Sequence, residues 1–141
     1  MEYVCDAPRG RAWFRLEEEA EAADESRLMQ HAVVKHFANA WTEAKASFVP
    51  ASSRYIEQEI GLKAHIRRHM PLFLTLRDSD GKALATAMLP PGGVADPGFR
   101  SIVVGHANTD PYPQHADAIE ALGAHFGLQL DRRRCYPYQR G

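Results

Sequence analysis

From Glu18 to Phe48 the chain contains neither proline nor glycine. Within that stretch Met29, Val33, Phe37, Ala40, Trp41, Ala44 and Phe48 recur at spacings of three and four. Such spacing places them on one face of a helix. Glu17, Glu18, Glu19 and Glu21 stand where the helix would begin, and the helix dipole favours negative charge there. The periodicity predicts one long helix with a buried stripe. Ala22, Ala23 and Ser26 share that face but are small, so the first turns must pack closely or project beyond the core.

A long amphipathic helix needs an apolar surface to cover, and the flanking segments supply strands. Tyr3–Cys5 and Arg11–Leu16 read as a hairpin around Asp6-Ala7-Pro8-Arg9-Gly10. Leu72–Arg77 and Lys82–Leu89 form a second, with Asp78-Ser79-Asp80-Gly81 as its turn and Gly81 suited to a left-handed position. The simplest register sets Leu76 against Leu84, Leu74 against Thr86 and Leu72 against Met88. The alanines at 83, 85 and 87 then face the long helix. Ile102-Val103-Val104 reads as an interior strand, and Leu128 and Leu130 as the start of a last one.

Pro50 ends the long helix. A second helix runs from Arg54 to about Met70, divided at Gly61 and closed by Pro71. Pro113 opens a third, with Ala116, Ile119, Leu122, Gly123 and Phe126 as its inward positions and Gly127 as its cap. The expected fold class is α+β: one domain over residues 1–141, with two layers. It holds a mainly antiparallel sheet of about five strands and three helices, the longest packed across the sheet. The 141-residue length is enough to fold without disulfides or metals.

Composition narrows the function classes. With 45% hydrophobic and 25% charged residues the mixture is ordinary for a globular chain. A net charge of −1 weighs against nucleic acid as a partner. Residues 1–6 show neither a basic start nor an apolar core of a signal peptide, and no apolar run reaches membrane-spanning length. The expected location is cytoplasmic, without membrane association. Cys5 and Cys135 lie near opposite ends and fit no CxxC pattern, so reduced thiols are expected.

Three constellations carry chemistry. In Gly105-His106-Ala107-Asn108-Thr109-Asp110, between a strand and a helix, His106 could act as a base oriented by Asp110. Asn108 and Thr109 would contact a ligand there. The plainer reading makes Asp110 a helix cap, Asn108 and Thr109 turn residues, and His106 a solvent-facing ring. His65 and His69 are spaced i, i+4, as two metal ligands on one helix face would be. No glutamate follows His65, so the HExxH pattern is absent and the pair reads first as helix-edge packing. Finally Lys63, Arg67 and Arg68, with Arg132, Arg133 and Arg134, could hold an anion if they converged.

No GxSxG, GxGxxG or P-loop is present, and no cofactor is expected. The favoured function is therefore a non-enzymatic binding or accessory module, acting on a protein partner or as a homodimer. Its motive is that the long helix offers more apolar stripe than a small sheet covers. The alternative is a small enzyme with its site at Gly105–Asp110, with or without a histidine-held metal.

Overall fold

The computed structural model describes residues 1–137. Five strands, β1 (Glu2–Ala7), β2 (Arg11–Arg15), β3 (Leu72–Arg77), β4 (Ala83–Leu89) and β5 (Ile102–Val104), form one antiparallel sheet in chain order. The helices are α1 (Glu19–Met29), α2 (Val33–Ala46), α3 (Tyr55–His69), α4 (Tyr112–Phe126) and the short α5 (Arg132–Cys135). The class is α+β. No helix among the described residues is long and apolar enough to cross a membrane.

The single long helix is in fact two. Gln30 adopts φ 53° and closes α1 in a left-handed cap. Ser26 then binds both sides of the break: its carbonyl accepts from His31 N and its hydroxyl accepts from Val34 N at 2.8 Å. The stripe survives as Met29, Val33, Phe37 and Ala44, all buried. Trp41 does not belong to the core, for it lies at the edge of the stripe and stays 38% exposed. Conversely, α3 is not divided at Gly61. The Phe48 ring lies where a side chain on Gly61 would stand, 3.3 Å from an added Cβ, so the glycine serves close packing.

The expected two layers are three, because both faces of the sheet are covered. The β3–β4 register is displaced by one residue from the simplest reading. An irregularity between Leu76 and Arg77 sets Leu76 against Ala85, Leu74 against Ala87 and Leu72 against Leu89. A one-residue shift exchanges the faces of a strand. Ala85 and Ala87 therefore lie with Trp13 and Val103 under α4, where Ala118, Ile119 and Leu122 pack and Trp13 Nε1 donates to Ala118 O at 2.8 Å. The other face carries Phe73, Thr75, Thr86 and Met88 toward α1–α3. Residues 128–130 form no strand; Leu130 instead packs in the α4-side cluster, as do the free thiols Cys5 and Cys135.

Candidate functional site

The insertion between β2 and β3 supplies three helices to one sheet face, and they do not close over it. Leu62 and Ile66 of α3 pack toward Phe37 and Met70, but the first two turns of α3 run past the edge of that cluster. Tyr55, Ile56 and Ile60 are consequently 72%, 70% and 63% exposed. Val49, in the loop before them, is 82% exposed. Five of the nine large apolar side chains exposed among the described residues fall between Trp41 and Ile60, so apolar exposure concentrates on one arm.

At the root of this arm lies a groove of about 640 Å³. Leu16, Phe37, Trp41, Ile66 and Met70 form its apolar surface. Glu17, Glu18 and Glu19 line one end, and Lys63 and Arg67 stand on the α3 wall. On a helix, positions 56, 60, 63 and 67 fall on one stripe. Ile56 and Ile60 therefore continue the groove wall outward from Lys63. Lys45 Nζ lies 5.2 Å from the Trp41 ring centroid, a cation–π contact beside the groove.

The same sheet face holds a buried polar cluster that sequence reasoning missed. Glu25 has no exposure, and its Oε1 accepts from Thr75 Oγ1 at 2.9 Å and from Arg77 at 2.7 Å. Its Oε2 accepts from Thr86 Oγ1 at 2.5 Å. Thr86 has one proton, already given to Glu25, so its oxygen accepts from His31 Nε2, 2.8 Å away. His31 Nδ1 then faces the Val33 N–H at 3.4 Å. Burial pushes the His31 pKa below its ordinary value, with Glu25 opposing that shift and His106 and His36 adding to it. A nucleophilic triad places the imidazole between acid and hydroxyl. Here the hydroxyl lies between acid and imidazole, so the cluster clamps α1 to β3 and β4 rather than activating Thr86. The available signal was Glu25 at i+3 from Ala22 and i−4 from Met29, on the buried face of α1.

The expected sites are placed as follows. Asp110 accepts from Tyr112 N at 3.1 Å and pairs with Arg132, so it is occupied at the start of α4. Thr109 Oγ1 donates to His106 O at 2.6 Å, and Gly105 N donates to Thr109 O at 2.7 Å, which closes the loop on itself. Its middle residues, Ala107 and Asn108, take φ of 54° and 60°. His106, Thr109, Asp110 and His115 line an open cleft of about 460 Å³. His65 and His69 lie side by side with ring centroids 4.2 Å apart, and Ser47 Oγ is 2.8 Å from His65 Nε2. Among the described residues no three His, Cys, Asp or Glu side chains gather as metal ligands, so His106 does not join the pair.

The basic residues are largely engaged locally. Arg67 binds Glu2 at 2.6 Å and Glu17 at 3.0 Å, tying α3 to β1 and the start of α1. Arg68 is exposed on the last turn of α3. Arg132 pairs with Asp110 and Arg134 with Asp131, so the arginines of α5 and α3 do not form a shared clamp. Compared with known protein families, curated proteins and solved structures, the chain matches none.

Proposed function

We propose that this protein is a non-enzymatic binding module that takes up an amphipathic helix of a partner protein. The helix lies in the groove between α2 and α3 and along the exposed stripe of α3. The observation that carries this reading is the run of exposed apolar side chains Trp41, Val49, Tyr55, Ile56 and Ile60, the first of which lines a groove with both apolar and charged walls. Exposed apolar surface rimmed by charge marks interaction sites, and aromatic residues dominate binding energy at such surfaces. Helix-in-groove recognition anchors apolar residues at i, i+3, i+4 and i+7, the spacing that a groove beside α3 accommodates. The acids at 17–19 and Lys63 would set the orientation of the incoming helix.

A displayed library of amphipathic helices, with an inert scrambled library as control, tests this reading. Selected peptides should bind the wild type and lose at least about tenfold in affinity to Ile60→Asp or Trp41→Ala, a loss of about 1.4 kcal/mol. Both variants should keep the wild-type melting temperature within a few degrees. Binders indifferent to both substitutions would overturn the proposal. Selection of nothing, together with a dimer that dissociates in Ile60→Asp, would assign the arm to self-association instead.

A second reading, a small enzyme at Gly105–Asp110, draws on the cleft shared by His106, Asp110 and His115. It ranks lower because the Asp110 carboxylate is already engaged by Arg132 and Tyr112 N.

A further inference from the structure

On the sheet face that carries α1–α3, a second cleft lies between the start of α2 and the edge strand β5. The cause is topological. β5 has only three residues, and α1 packs over its neighbour β4. Phe73, Met88, Ile102 and Val104 form an apolar floor in a space of about 280 Å³. One wall is the start of α2, with Val33 and the His31 ring, and the opposite rim is Asn108.

Three properties define what fits. Among the described residues no Asp, Glu, Lys or Arg lines the cleft, whose ionisable lining residues are His31 and His36. A charged occupant would lose hydration against the apolar floor of Phe73, Met88, Ile102 and Val104, which favours an uncharged ligand. The volume is about twice the ~150 Å³ cavity that holds one benzene ring, which sets the size at about two fused rings. The polar groups are few: His31, the exposed His36, Thr86 and Asn108. His31 is held as the Nε2–H tautomer by Thr86 and Glu25, and both of its nitrogens are occupied. Asn108 differs: among the described residues its side-chain amide makes no hydrogen bond, while its carbonyl accepts from Tyr136 Oη at 3.3 Å. Asn108 is also held at φ 60° next to Ala107 at 54°, two left-handed non-glycine residues in succession. Such backbone costs free energy and persists where surrounding bonds enforce it, as the Gly105–Thr109 and Thr109–His106 bonds do here. The loop thereby presents a free amide at the rim of an apolar cleft.

We infer that this cleft binds an uncharged molecule of about two fused rings that carries one amide or hydroxyl head, with the rings on the β4–β5 floor and the head paired to Asn108. The site is independent of the helix groove and does not rest on it.

Three probes of one shape separate the requirements: 2-naphthamide, naphthalene and 2-naphthoate, titrated into the full chain by NMR. The naphthamide should shift the resonances of Val33 and Val104 in a saturable way. The naphthoate, charged and otherwise alike, should bind at least about tenfold more weakly. Asn108→Gly suits the left-handed backbone and removes only the amide. It should weaken the naphthamide by about three- to tenfold and leave naphthalene unchanged. Ile102→Trp should fill the cleft and abolish both, with an unchanged melting temperature. No saturable shift from any probe, or naphthoate binding as tightly as naphthamide, would overturn the inference. Shifts that follow protein concentration rather than probe concentration would assign the cleft to a second copy and overturn it equally.

Discussion

At Glu25 a carboxylate with no exposure accepts hydrogen bonds from Thr75, Thr86 and Arg77, so every group of the cluster depends on it. Removing one partner of a buried charge pair leaves the other unsatisfied, which costs far more than the pair contributes. Glu25→Ala should destabilise the fold by ~3–5 kcal/mol in urea denaturation. A change within the scatter of surface substitutions would mean that water or rearrangement replaces the carboxylate. His31, at the end of the same chain of bonds, gives the cluster a pH dependence. Its folded pKa is depressed, so the unfolded chain takes up a proton below about 6.5 that the folded chain resists. The contribution of His31 is therefore constant above that value, and stability declines as pH falls from it toward the folded pKa. Protonation would also set an Nδ1–H against the Val33 N–H. His115 is shifted the same way by burial and by Arg11, so part of the decline belongs to it. His31→Gln keeps a donor toward Thr86 and should flatten, without abolishing, the fall in urea midpoint between pH 7.5 and 5.5. An unchanged slope would place the proton uptake elsewhere.

Between elements, the decisive features are a break and a slip. The break at Gln30 costs a left-handed non-glycine residue, about 1–2 kcal/mol of backbone strain. Gln30→Gly should be neutral or stabilise by up to about 1 kcal/mol, since relieved strain is partly offset by chain entropy. Gln30→Val should destabilise by about 1–2 kcal/mol. Equal thermal melts for the two would contradict the cap. This break was not legible in the sequence, because Gln30 carries none of the usual marks of a helix end and the apolar spacing continues through it. The second hairpin was half legible. Asp78 accepts from Asp80 N and Lys82 N, and Gly81 sits at φ 81°, as the turn composition implied. The irregularity at Leu76/Arg77 left no trace in composition, yet it exchanged the faces of β4 and brought Thr86 beside Thr75 under Glu25. Helix α4 was legible in its ends and its later turns, with Pro113 in its first turn and Gly127 as a left-handed cap at φ 71°, but in the first turns, next to the irregular His115, Ala118 and not Ala116 is buried. Its packing depends on local pattern, whereas the groove and the polar cluster join residues some fifty positions apart.

Across the whole molecule, three helices inserted between β2 and β3 cover part of one sheet face and leave an arm beyond it. A core seals what it covers, and the uncovered remainder is where a partner gains most by burial. The sequence excess of apolar stripe pointed to such a remainder but misplaced it. Trp41 was counted in the core and lines the groove, while Ile56 and Ile60 were passed over because their stripe is not the one that packs. The chain has two tryptophans, Trp13 with no exposure and Trp41 at 38% in the groove, and this difference offers a direct optical reading of the arm. The decisive measurement is acrylamide quenching of tryptophan fluorescence with and without a selected helical peptide. Without peptide, a quenchable component should be present and should vanish in Trp41→Phe. With saturating peptide, that component should shift to shorter wavelength and become protected, while the Trp13 component stays constant. Peptide bound at saturation with Trp41 still fully quenchable would contradict the account.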